Sequence, residues 1–132
     1  MNLKDNYPVS ITLDIDWAPD FTVSYACNLL KKHGIPATIF ATHSSPILDE
    51  IKKDDNFEVG IHPNFLANST HGNSFTEVME YIMSVVPEAE CMRTHGLFQS
   101  SNLFFDIFDK FCKLFLIFIL KIIFAESLVN LK

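Results

Sequence analysis

Three short apolar, β-branched runs, Val9–Leu13, Ala37–Thr42 and Phe57–Ile61, each stop at side chains able to bind metal or move protons. Asp14 and Asp16 follow the first run, His43 the second and His62 the third. Apolar runs of this length suit strands buried on both faces of a parallel sheet, and the intervening segments carry helical spacing. Such a chain has few options. Strands that repeat in one direction need crossover helices, and their carboxyl ends then share one edge of the sheet, where α/β folds place chemistry. Alternation along a strand also puts Asp14 and Asp16 on the same side, so both can project into one cavity.

The helical segments have readable ends. A helix is predicted from Thr22 to His33, with Val23, Ala26, Cys27 and Leu30 inward, closed by Gly34 and Pro36. Ser45-Pro46 reads as an N-cap and first helical position, leading into Ile47, Leu48 and Ile51. Ser74 caps the strongest helix, where Phe75, Val78, Met79, Ile82, Met83 and Val86 recur at three- and four-residue spacing. A fourth strand is predicted near Cys91–Thr94, with another helix starting at Ser101. The expected class is α/β, with about four β/α units in an open sheet or part of a barrel.

Composition narrows the function classes. A chain of 132 residues supports one domain, and a hydrophobic share of 48% supports a folded core. A net charge of −6 argues against nucleic acid, whose phosphates demand lysine and arginine clusters. The three cysteines are scattered, as free thiols in a reducing compartment would be, and the first residues lack signal-peptide character, so a cytoplasmic location is expected. The four glycines form no phosphate loop, and no Gly-x-Ser-x-Gly elbow occurs. Composition changes near Phe111. The domain is therefore drawn as residues 1–110, with 111–132 as an atypical hydrophobic tail. That tail reads as a buried helix, a membrane-associating segment or a non-native end of a truncated or shifted reading frame. The third is favoured because the strand–helix rhythm stops. Leu114–Leu120 falls well short of the roughly 20 residues that span a bilayer, so a membrane partner is not expected.

Asp14, Asp16, His43, His62, His71, Arg93 and His95 all fall at or just after predicted strand ends, and Arg93 is the only arginine. Two histidines and an aspartate suit Zn²⁺, with Co²⁺ or Ni²⁺ as alternatives, and three protein ligands leave a position open for water. A bound divalent ion lowers that water's pKa to about 7, and a second carboxylate off the metal could take its proton. Trp17 either walls a sugar site or packs, and His43 either lines the pocket or caps the next helix.

Asp-x-Asp after the first strand, Gly60-Ile61-His62-Pro63 after the third and Arg93 after the fourth resemble the polysaccharide deacetylase (carbohydrate esterase) family. The stretch Gly60-Ile61-His62-Pro63-Asn64-Phe65-Leu66 and the later His95-Gly96 resemble its branch associated with surface-polysaccharide gene clusters. The resemblance implies a distorted (β/α)7 barrel, of which this chain holds the N-terminal part. It implies metal-dependent hydrolysis of an N-acetyl group from a sugar or polysaccharide precursor. Carried over by position, Asp14 is the general base, Arg93 pairs with it, and Asp16, His62 and His71 are the metal ligands. Trp17, His43 and His95 are then candidates to line the substrate pocket.

Two departures from the family pattern matter. The family spaces its two ligand histidines more closely than His62 and His71, and no histidine after Phe111 is available to protonate the leaving amine. Two readings follow: an incomplete deacetylase with reduced or no activity, or a non-catalytic metal-binding remnant. The sequence leaves the sugar, the metal and the oligomeric state open.

Overall fold

A computed structural model describes residues 10–110. The hydrophobic tail, and with it every reading of residues 111–132, lies outside the described residues. Strands and helices alternate: β1 (Ile11–Asp14), α1 (Asp20–Lys32), β2 (Ala37–Ala41), α2 (Pro46–Ile51), β3 (Phe57–Ile61), α3 (Phe75–Val85) and α4 (Ser101–Lys110), with a 3₁₀ turn at His95–Leu97 before α4. The three strands form one parallel sheet in the order β1-β2-β3.

Register explains how the sheet divides its faces. Leu13 pairs with Ile39 and Ile39 with Val59, so the odd-numbered residues form apolar rows. Ala37, Ile39, Ala41 and Ile61 are buried there with Val23 and Cys27 of α1, Ile47, Leu48 and Ile51 of α2, and Met79 and Ile82 of α3. Even-numbered residues point the other way. Asp14, Phe40 and Gly60 make one row, and Thr12, Thr38 and Glu58 the row below. The helices cover the odd face; the even face carries the polar chemistry.

The serine caps follow from unpaired amides at helix starts. Ser45 accepts the Ile47 N–H at 3.3 Å, and Ser74 accepts the Glu77 N–H at 3.3 Å. Helix α1 begins two residues before the predicted Thr22, because Pro19 presets an extended-to-helical entry and its carbonyl takes the Thr22 N–H at 2.9 Å.

The predicted fourth strand reduces to a single bridge, Ile61 to Met92, among the described residues. The hydrogen bonds give the reason. Ile61 N–H reaches Cys91 C=O and Arg93 N–H reaches Ile61 C=O, both at 3.0 Å, but the next rung requires an N–H from Pro63. Only the rung after it, from His95 N–H to Pro63 C=O at 2.9 Å, is made. The segment therefore lies beside β3 without a continuous ladder.

Gly60 is where this neighbour comes closest. A Cβ there would lie 2.7 Å from Cys91 Sγ, 2.8 Å from Cys91 O and 2.8 Å from the Phe40 ring. Since one of these is backbone, Gly60→Ala should lower stability by about 1–3 kcal/mol, read as a lower urea midpoint. Adding Cys91→Ala should recover part of that loss, because the carbonyl clash remains.

Candidate metal centre

The chain leaves β1 through a tight turn. Asp16 and Trp17 have φ of 40° and 60°, left-handed values that a bulky side chain such as Trp17 rarely adopts. Ala18 N–H closes the turn on Ile15 C=O at 2.6 Å, and Trp17 N–H donates to Thr42 Oγ1 at 3.1 Å. Thr42 is fully buried, and its hydroxyl also pairs with His43 Nδ1 at 3.0 Å. The hydroxyl thus ties the strained turn to the end of β2. The reversal brings the Asp16 carboxylate back over the end of β3.

There it meets two histidines. Asp16 Oδ1 lies 3.4 Å from His62 Nε2 and 3.0 Å from His95 Nδ1, and the two nitrogens are 3.4 Å apart. Donors each bonded at about 2.0–2.2 Å to one tetrahedral ion stand about 3.3–3.6 Å apart. The three separations match that within a few tenths of an ångström. An oxygen and two imidazole nitrogens are also the donor set a first-row divalent ion prefers. The residues fit a metal, and Asp16, His62 and His95 are the group that could hold one.

His62 is the anchor. It is buried, its backbone N–H bonds Ala41 C=O at 2.8 Å, and burial pushes its imidazole below the ordinary 6.5, against the opposing pull of Asp14 and Asp16. Ligation requires this neutral form. Its other nitrogen, Nδ1, faces Asp14 Oδ1 at 3.5 Å but makes no hydrogen bond of good geometry. Asp14 is held instead by Arg93, whose Nε and Nη2 both donate to Oδ1, at 2.8 and 2.5 Å. Arg93 Nη1 donates to Thr12, and the guanidinium lies 4.6 Å over the Phe40 ring. The even-numbered rows are thus stitched to the segment after β3 by one arginine.

The residues predicted as a site divide as follows. Asp14, Asp16, His62, Arg93 and His95 converge. Trp17 packs edge-on to His95, ring centres 5.3 Å apart. His43 turns towards Thr42 and stands outside the ligand group. His71, expected as the third ligand, is also outside that group: it is buried, and its Nδ1 accepts the Asn64 N–H at 3.1 Å. His95 stands with the other two donors. The sequence signal for it was the His-Gly after Arg93, which reached it only as a pocket-lining residue.

Known proteins supply a comparison. The family model described as WbmS-like polysaccharide deacetylase matches residues 11–121. The chain is similar to a Bordetella bronchiseptica crystal structure described as a polysaccharide deacetylase involved in O-antigen biosynthesis, with 35% identity and a TM-score of 0.68 over 74% of this chain. It is also similar in fold to a pseudoenzyme of the CE4 family from Bacillus anthracis, with 20% identity and a TM-score of 0.52 over 81% of this chain. In each case the match covers 41% of the solved chain. No curated protein matches.

Two measurements check this geometry. Thr42→Val keeps the shape but orphans the Trp17 N–H, so it should cost about 1–3 kcal/mol in denaturant unfolding. Acid should also destabilise the chain. Burial lowers the folded-state pKa of His62 and His71 below 6.5, so just below that pH the unfolded state binds more protons. The urea midpoint should therefore fall as pH drops through about 6.5 towards the folded values, and His71→Asn should flatten that fall.

Proposed function

The chain belongs to the WbmS-like polysaccharide deacetylase family, and from that membership we propose a deacetylase site built on Asp16, His62 and His95, acting on an N-acetylated sugar or polysaccharide precursor. The observation that carries it is the convergence of three donor atoms 3.0–3.4 Å apart, each beyond the end of a different strand or strand-like segment. A divalent ion, zinc in this reading, would supply a water acidic enough to act near neutral pH.

The surrounding residues then have defined work. Asp14 is the base. The Arg93 and His62 contacts all fall on its Oδ1, which leaves Oδ2 to accept the proton. Arg93 holds that carboxylate aimed, through two charged donors on Oδ1. Trp17, 40% exposed beside His95, offers an aromatic wall to a sugar ring. The three strands are the opening of a distorted barrel, and the even-numbered face is its interior.

A second reading is metal binding without hydrolysis. It rests on the assignment of both histidines at the centre, His62 and His95, to the ligand group, which leaves neither of them to act as general acid for the leaving amine.

Zinc stoichiometry of the purified chain, together with acetate release from an N-acetylated amino sugar, separates the two. Asp16→Ala, His62→Ala and His95→Ala should each weaken zinc at least about tenfold, whereas His43→Ala should not. Asp14→Asn should keep the metal and abolish acetate release. Unchanged zinc affinity in all three ligand variants would sink the site. Zinc without acetate release in the unaltered chain would favour the second reading.

A further inference from the structure

His71 is a costly residue to bury. It is 3% exposed, yet it is not among the ligand group, and its Nε2 approaches the Thr42 backbone without a hydrogen bond of good geometry. What it does is take the Asn64 N–H on Nδ1 at 3.1 Å. That N–H and the Pro63 carbonyl belong to the same planar peptide unit, and the Pro63 carbonyl receives the His95 N–H at 2.9 Å. A single peptide plane therefore links the His71 ring to the His95 backbone. Its setting leaves few substitutes, because the missing Pro63 N–H has already broken the ladder on that side.

A second route runs through rings. His71 packs in a tilted contact at 4.8 Å against Tyr81 of α3 and in another at 5.7 Å against Trp17, and Trp17 meets the His95 ring edge-on at 5.3 Å. Both the backbone and the side chain of His95 are thus braced from His71. His95 needs bracing: it opens a 3₁₀ turn whose Gly96 and Leu97 take φ of 63° and 53°, a left-handed pair that no ladder supports among the described residues.

We propose that His71 is a positioning residue, whose Nδ1 fixes the Pro63–Asn64 peptide and thereby aims His95 at Asp16 and His62. This rests on the metal-centre reading above. It also states what His71 contributes: an acceptor atom at the Nδ1 position and a flat ring, with no bond to the ion.

Isosteres test it in the full chain. Asn places its side-chain oxygen near the imidazole Nδ1 position, whereas Gln places it near Nε2. Folding of His71→Asn, His71→Gln and His71→Ala is checked by circular dichroism. Amide hydrogen exchange is then followed in metal-free protein, and Co²⁺ affinity by titration. His71→Ala and His71→Gln should exchange at least about tenfold faster at Asn64 and His95, with Ile39 and Phe40 unchanged, and should bind Co²⁺ at least about tenfold more weakly. His71→Asn should stay within about threefold of the unaltered chain on both. Equal Co²⁺ loss in the Asn and Ala variants with unchanged exchange would make His71 a ligand and overturn the proposal. So would unchanged affinity and exchange in all three. If the unaltered chain binds no Co²⁺, the metal reading fails separately and exchange alone decides. Faster exchange in Ala and Gln, restored in Asn, supports the brace; uniform rates sink it. Should His71→Ala fail to fold, the Asn and Gln pair carries the same comparison.

Discussion

Parallel register is the constraint on which the rest depends. Because Asp14, Phe40 and Gly60 share one row, everything beyond that row lies above a single platform. The platform has one large ring and one empty position. Phe40 fills the middle and is nearly fully buried, while Gly60 leaves room for Cys91 to approach β3. Without that approach Arg93 would not reach Asp14, 79 residues away in sequence, and His95 would not reach Asp16. A hydrogen in place of a side chain at Gly60 thus sets whether the centre can assemble.

Charge is managed around this platform by position rather than by burial alone. Asp14 and Asp16 lie near the chain's one arginine and two of its histidines, and the burdens are divided. Arg93 neutralises Asp14, leaving Asp16 to the histidines. Burial keeps His62 neutral despite two nearby carboxylates, the state in which imidazole presents a lone pair. The left-handed turn at Asp16 and Trp17 is the cost of bringing the second carboxylate back over the strand end. Thr42 offsets part of that cost from the neighbouring strand.

Much of this was legible in the residues. The three strands, the serine caps at Ser45 and Ser74, and the inward faces of α1, α2 and α3 follow from local spacing. Asp14, Asp16, His62 and Arg93 were expected near one another because each sits at a strand end, and the structure brings them together. Two readings needed more. The fourth strand looked continuous, but its ladder is interrupted by a proline on the partner, which local pattern in Cys91–Thr94 does not register. His71 sits closer to His62 in sequence than His95 does, yet His71 turns its Nδ1 to the Asn64 backbone while His95 stands beside His62.

The sequence by itself determined the rhythm of strands and helices, the side of the sheet on which Asp14 emerges, and the family to which the motifs point. These depend on repeats of two and of three or four residues, which act within a single element. Tertiary structure alone decided which histidine joins Asp16 and His62, what His71 holds, and why Thr42 and Gly60 are needed. Those outcomes depend on contacts between segments far apart in the chain. They are set by which backbone groups remain free after the sheet has formed, and by how closely a neighbouring segment can then approach.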